Sequence, residues 1–256
     1  MKRIVTLILT LILLSACAST IPQPASVTLT VFAAASLTES FSEMAAAFEA
    51  AHPSVDVSLN FAGSNTLRAQ IEQGASANVF ASANNKEMDA LVTDGLVSAD
   101  APQPFLTNRL VIITPTDNPA GVATIEDLAA PGLKLVPAAE EVPVGRYTRL
   151  MLDNAGADFK EQVLANVVSN ESNVKQVVAK VQLGEADAGI VYASDAVAAP
   201  ELPVIEIPSK WNVVAEYPIA TLKNAPYPEL ADEFVAFVLS PQGQAILQKW
   251  GFSPKQ

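Results

Sequence analysis

The feature that most constrains this chain is a unit that occurs three times between residues 27 and 95: a short apolar strand, a tight turn, then a helix. Val27 to Phe32 (VTLTVF) alternates as a strand, and Leu37, Phe41, Met44 and Phe48 then recur at helical spacing until His52-Pro53 closes the element. Ser36-Leu-Thr-Glu39, at the join, has the pattern of a capping box. Val55, Val57, Leu59 and Phe61 alternate again, Ala62-Gly63-Ser64-Asn65 makes the turn, and Leu67 with Ile71 forms the apolar face of a short helix ended by Gly74. Asn78 to Ala81 and Lys86 to Val92 repeat the unit, stopping near Gly95. Strands separated by helices cannot pair as tight hairpins, so the pattern predicts an α/β fold with a parallel sheet.

The same grammar returns later. Arg109 to Pro115 is a continuous apolar strand followed by a turn at 117–121. Strands are predicted at Leu133 to Val136 and Ala188 to Tyr192, a helix opened by Pro143, and another from about Val174 with Val177, Val178 and Val181 on one face. Glu216 to Leu222 is a strand-like run, and Leu230 to Leu239 and Gln242 to Trp250 are helical, capped by Gly251. Two α/β units joined by crossings near residues 108 and 218 predict two lobes, each a mostly parallel sheet flanked by helices. Lobe I takes residues 27–107 plus 219–256, lobe II takes residues 108–218, and a cleft lies between them.

The N-terminus carries a different signal. Lys2-Arg3 precedes the run Ile4 to Leu14, apolar except for Thr6 and Thr10, and the segment ends in Leu14-Ser15-Ala16-Cys17. That run is too short to span a bilayer core of about 30 Å at about 1.5 Å per residue, and it reads as the apolar region of a signal peptide covering residues 1–16. Leu-Ser-Ala-Cys resembles the bacterial lipobox, which implies cleavage before Cys17 and lipid attachment to its sulfur. The alternative is an ordinary secretory signal with Cys17 incidental. Residues 17–26, polar and with two prolines, form a tether. The expected location is the periplasm or the outer face of the cytoplasmic membrane, held by lipid.

Charge and composition exclude several functions. With 15 Lys+Arg against 27 Asp+Glu the chain carries -12, and it lacks the basic face a nucleic-acid binder needs. Removing residues 1–16 takes away only Lys2 and Arg3, so the mature chain is more acidic still. A single Cys rules out a disulfide framework and multi-Cys metal sites, and a single His, His52, excludes motifs such as HExxH. No GxSxG elbow, P-loop or GxGxxG is present, and with Cys17 in the tether no thiol remains to act as nucleophile. A binding protein is expected, with no enzymatic activity and no cofactor.

Chemistry is available at the joins between strands and helices. Ser36 and Ser64 both stand where a strand gives way to a helix, and in open α/β sheets such turns line the ligand crevice. Helix starts present unpaired N–H groups and the positive end of the dipole, to which a hydroxyl adds a donor. Each serine also fits a plain N-cap. Pro143 opens a helix whose first-turn amides include that of Val144, and Ser172 or Asn173 caps another that places Val174 in its first turn. Tyr192 ends the strand Ala188 to Tyr192, where its hydroxyl either donates into the crevice or simply packs.

Four segments carry a resemblance. Val31-Phe-Ala-Ala-Ala-Ser-Leu37, Phe61-Ala-Gly-Ser-Asn-Thr-Leu67, Val142-Pro-Val-Gly-Arg-Tyr147 and Gly189-Ile-Val-Tyr-Ala-Ser-Asp195, in that order, resemble the ModA family, the molybdate-binding proteins of bacterial ABC transporters. The similarity runs from about Val27 to Phe252. It implies a type II periplasmic-binding-protein fold, an interlobe site for tetrahedral molybdate or tungstate, and an ABC permease as partner, with the chain itself a monomer. Carried over by motif, the ligand contacts are the hydroxyls and amides of Ser36 and Ser64, the amides of Val144 and Val174, and the Tyr192 hydroxyl. Molybdenum is then held through its oxygens, without direct side-chain coordination. Where the family often has a serine-rich turn this chain has Gly63-Ser64-Asn65, which makes Asn65 a possible additional donor.

All these groups are neutral donors, suited to an anion that offers only acceptors. Arg68 and Arg146 lie near the motifs but are expected to face solvent. Glu140, Glu141 and Glu171 are close enough in sequence to enlarge the coordination of the metal. Another tetrahedral oxyanion such as sulfate is the alternative ligand, and an enzyme on a binding-protein fold the more distant one.

Overall fold

A computed structural model describes residues 26–254; Cys17, the signal peptide and the tether up to residue 25 lie outside the described residues. The chain begins with β1 (Val27–Ala34), a 3-10 turn (Ala35–Leu37), α1 (Thr38–Ala51), β2 (Val55–Ala62), α2 (Ser64–Glu72), β3 (Val79–Ala81) and α3 (Asn85–Thr93). Next come β4 (Gln103–Ile113), a second 3-10 turn (Ile125–Ala129), β5 (Leu135–Val136), α4 (Pro143–Ala155), α5 (Ala157–Ala165) and α6 (Val174–Gln182). β6 (Ala188–Tyr192), α7 (Ala193–Ala198), β7 (Val204–Glu206), β8 (Val214–Thr221), α8 (Pro228–Leu239), α9 (Pro241–Lys249) and β9 (Ser253–Pro254) complete it.

The three repeated units build the parallel part of the first sheet, in which β1 lies between β2 and β3 with Val31 level with Leu59 and Val79. From Val31 onward β1 is buried throughout, as a central strand covered by helices on both faces must be. Antiparallel pairs extend this sheet from β3 to β8 and from β8 to β4. β4 is the shared strand: Gln103 to Arg109 pairs with β8, whereas Leu110 to Ile113 pairs with β6 and β7. On the far side β5 runs parallel to β6.

A strand that changes partners midway links two α/β units through continuous backbone, which is the architecture of two lobes joined by crossing segments. Pro104 falls in the register shift between Pro104 and Leu106, where a residue without an amide donor is tolerated.

Packing fixes the elements that carry the cleft. On the inner face of α1, Phe41 meets Phe105 and Phe234 edge-on at centroid separations of 6.1 and 6.2 Å, and Phe48 meets Phe234 at 5.2 Å. These rings are 1% exposed or less, and each contributes about 1.5–3 kcal/mol by burial. The start of α1 is therefore held rigidly against the sheet. His52 stacks on Phe48 at 4.0 Å and its Nδ1 lies 2.9 Å from the Phe48 carbonyl, so the single histidine has a packing role. No helix of the described residues is long and apolar enough to cross a membrane.

Candidate functional site

The carboxyl end of β1 does not lead straight into a helix. The 3-10 turn intervenes, α1 begins at Thr38 behind Leu37, and no side chain caps it. The capping box read at Ser36 and Glu39 is thus absent, because both side chains have stronger distant partners. The Ser36 hydroxyl lies 3.0 Å from the Tyr217 hydroxyl on β8, and both Glu39 carboxylate oxygens accept from Lys175 Nζ at 2.9 and 2.7 Å. Ser36 is 4% exposed, and its proton is not spent on the backbone of its own helix.

Ser64 is equally free of a capping role. It is the first residue of α2, behind Gly63, and its Oγ accepts a hydrogen bond from the Ala83 amide at 3.0 Å. A hydroxyl that accepts from an amide keeps its single proton for another acceptor. Ser64 is fully buried, so that acceptor must lie inside the protein's contours.

The second lobe supplies helix starts. Pro143 takes the first position of α4, where the missing amide costs nothing, and Val144 follows with an amide that has no acceptor four residues back within the helix. Gly145 lets the start of α4 pack against the preceding backbone, since a Cβ there would sit 1.9 Å from the Ala139 carbonyl oxygen. Asn173 caps α6 by accepting from the Gln176 amide at 3.1 Å, leaving Val174 as the first helical residue. Both valines are buried, at 1% and 3% exposure.

Tyr192 ends β6, packed edge-on against Tyr147 and Tyr217 at 6.5 and 5.8 Å. It is buried, and its hydroxyl makes no hydrogen bond of ordinary length within the protein, although the Tyr217 hydroxyl lies close enough to influence its pKa. An unpartnered buried hydroxyl costs about 1–3 kcal/mol, a penalty that a ligand acceptor removes. Burial also pushes the Tyr192 pKa well above the ordinary phenol value, so the group stays protonated and able to donate.

Ser36, Ser64, Val144, Val174 and Tyr192 all line one cavity of about 10 Å³. That is room for about one water molecule, far below the roughly 300 Å³ or more of a site for an organic ligand, so a tetrahedral oxyanion enters only when the walls part. Sequence positions from 36 to 192 converge there, because each ends a strand or starts a helix facing the cleft. No Lys or Arg is on the wall. A larger groove of about 760 Å³, beside Asn108, Val197 and Val214, contains none of the five.

The remaining candidates stand apart from this wall. Asn65 is half-buried behind Ser64, off the cavity, with its Oδ1 unpartnered. Arg146 is exposed as expected, but Arg68 is not simply solvent-facing: its Nε donates to the buried Glu87 at 2.7 Å, and it also pairs with Glu72. Glu171 is committed to Lys180 at 2.8 Å and to the Ser169 hydroxyl at 2.6 Å. Burial raises its pKa, yet those two partners outweigh it and hold the group below the ordinary value. Neither Glu140, Glu141 nor Glu171 reaches the cavity wall, and the described residues hold no cluster of three His, Cys, Asp or Glu suited to a metal ion.

Two residues that matter here escaped the sequence reading. Tyr217 lay in a recognised strand, but nothing local marks it as the partner of Ser36, 181 positions away. Lys175 looks like an ordinary polar position in α6, although its neighbour Val174 was singled out.

Comparison with known proteins identifies the family. The family profile described as bacterial extracellular solute-binding protein matches residues 29–253. The molybdate-binding protein ModA of Mycobacterium tuberculosis is 41% identical over 233 residues, which cover 91% of this chain and 87% of that protein. ModA of Escherichia coli is 34% identical, with 89% of each chain covered. Among solved structures, the sulfate-binding protein SubI of M. tuberculosis superposes with a TM-score of 0.82 at 19% identity, covering 89% of this chain and 86% of that one. The periplasmic molybdate-binding protein of Azotobacter vinelandii gives 0.78 at 22% identity, covering 89% of this chain and 100% of that one. At such identities both show the shared fold, and the fold is common to carriers of different oxyanions. The sequence relationship is more specific: the chain belongs to the ModA family of bacterial extracellular solute-binding proteins.

Proposed function

We propose that this chain is an exported solute-binding lipoprotein that captures molybdate, and tungstate with it, in the cavity between its lobes and delivers it to an ABC permease. The observation that carries this reading is the Tyr192 hydroxyl, buried in the cavity wall without a partner. With the free proton of Ser64, the Ser36 hydroxyl and the helix-start amides of Val144 and Val174, it makes a shell of neutral donors with no carboxylate among them. Such a shell complements a fully deprotonated tetrahedral anion, all of whose oxygens accept. Oriented dipoles hold the charge in place of a cation, so the anion itself forms no ion pair with the wall.

The same shell disfavours phosphate, whose remaining proton near neutral pH is best met by a carboxylate, and the wall carries none. Sulfate shares the donor requirement and differs in size, and the close fold match to a sulfate-binding protein makes it the second reading. Binding rather than turnover is supported by the partners of the serines: Ser36 meets a tyrosine and Ser64 a backbone amide, neither of which is a general base. Cys17, lipidated after cleavage of residues 1–16, anchors the monomeric carrier at the membrane surface.

Isothermal titration with molybdate, tungstate, sulfate and phosphate tests the reading. Molybdate and tungstate are expected to bind at least 100-fold more tightly than sulfate, on the order of 3 kcal/mol, with phosphate weakest. Equal affinity for sulfate would transfer the protein to the second reading.

A further inference from the structure

We infer that Lys175 is a positioning residue for oxyanion retention, because its ion pair with Glu39 ties the two halves of the binding site together across the cleft. Glu39 lies in the first turn of α1, three residues beyond Ser36, and belongs to the lobe built on β1. Lys175 is the residue after Val174 on α6, in the lobe built on β6. Its Nζ donates to both Glu39 oxygens at 2.9 and 2.7 Å and lies 3.2 Å from Asp195 Oδ1. Asp195 in turn accepts from the Tyr192 amide at 3.3 Å. One ammonium therefore connects the local frames of three residues on the cavity wall: Ser36, Val174 and Tyr192.

The pair is not an ordinary surface salt bridge. The Lys175 and Glu39 side chains are 27% and 31% exposed, and the Asp195 side chain is fully buried. Burial works against the Lys175 charge, but the carboxylates of Asp195 and Glu39 outweigh it and hold the pKa above the ordinary lysine value. The lobes approach closely beside this pair. A Cβ on Gly63 would lie 2.7 Å from the Ser172 carbonyl oxygen, only three residues before Lys175. Separating the lobes breaks the Lys175–Glu39 contact, whereas Lys175–Asp195 lies within one lobe and travels with it. The interlobe bond thus resists opening while adding no charge to the cavity wall. Removing one partner of such a partly buried pair acts chiefly on dissociation.

This inference rests on the oxyanion-binding reading. Its test is stopped-flow binding of molybdate to the mature wild-type protein and to Glu39→Gln, Lys175→Met, their double variant and Lys175→Arg. Loss of either charge is expected to speed dissociation about tenfold, with the association rate within about twofold. The double variant should be no worse than either single change, Lys175→Arg should retain slow dissociation, and the ligand-free melting temperature of Glu39→Gln should stay within about 2 °C of wild type. Wild-type dissociation rates in Glu39→Gln would overturn the inference. So would additive effects in the double variant, or a fall in ligand-free stability without faster release. If wild type binds none of the four oxyanions, the functional reading itself fails and the inference falls with it.

Discussion

The hydroxyl of Ser36 sits 3.0 Å from the hydroxyl of Tyr217, across 181 residues of chain, and both groups are buried. Burial, the largest influence on Tyr217, pushes its pKa far up, so the phenol keeps its proton. If that proton is donated to Ser36 Oγ, the serine proton is free to point into the cavity. Tyr217→Phe removes the hydrogen bond and lets the serine hydroxyl rotate. Affinity for molybdate should fall about fivefold to tenfold, the worth of roughly 1 kcal/mol, while Ser36→Ala should cost more because the donor itself is lost. Titration calorimetry on the two variants checks both the direction and the order.

Tyr192→Phe should move stability and affinity in opposite directions. The native hydroxyl is buried with no partner in the protein, so its removal relieves an unsatisfied group and should raise ligand-free stability by about 1 kcal/mol. The same change deletes one donor to the anion and should weaken binding at least tenfold, on the order of 1.5 kcal/mol. Denaturant unfolding without ligand, paired with calorimetry, reads the two signs separately. A loss of stability would show that the hydroxyl is satisfied within the protein.

Ser64→Ala is expected to lower both quantities. The change leaves the Ala83 amide without its acceptor in a buried setting, which should cost about 1–3 kcal/mol of stability. It also removes a ligand donor. Comparing Ser64→Ala with Tyr192→Phe therefore separates a hydroxyl that serves the fold and the ligand from one that serves the ligand alone.

The contrast also explains what was legible in the sequence. The α/β alternation could be read because periodicity and turn residues are local, and Ala188–Tyr192 appears as expected, as does the helix opened by Pro143. The sequence narrows the cap of α6 to Ser172 or Asn173, and the structure uses Asn173. Ser36 with Glu39 misled because the capping-box pattern is also local, whereas the partners that capture them, Tyr217 and Lys175, arrive only through tertiary packing. α5 escaped because it follows α4 at once, through Gly156 with φ of 113°, where no loop marks a new helix. The antiparallel joins escaped because strand order is decided by pairing, which a linear pattern does not encode.

Gly63→Ala should impair closure without harming the separate lobes. The residue has φ of -58°, which alanine adopts freely, so no backbone strain arises. A Cβ would nevertheless come within 2.7 Å of the Ser172 carbonyl oxygen in the opposite lobe and of Asn65 Oδ1. The lobes must then stay slightly apart, with Ser64 withdrawn from Val174. Solution scattering should show a smaller ligand-induced decrease in radius of gyration than in wild type. Molybdate affinity should fall more than tenfold, beyond about 1.4 kcal/mol, with the ligand-free melting temperature almost unchanged.

Asp195 gives the fold a pH dependence whose sign follows from its burial. Desolvation raises its pKa from 3.8 to about 6 despite the opposing ammonium of Lys175 and the Tyr192 amide. A carboxyl whose pKa is higher folded than unfolded contributes stability that is fully present below the unfolded value. That contribution is lost as pH rises through the folded value, here between about pH 4 and pH 6. Asp195→Asn keeps the shape and an oxygen able to accept from Tyr192, but cannot titrate. Its melting temperature should vary less than that of wild type over this interval, and the difference between the two should level off above about pH 7. Thermal unfolding of both proteins at half-unit pH steps measures the difference curve. A difference that does not change across the interval would show that Asp195 does not take up its proton there.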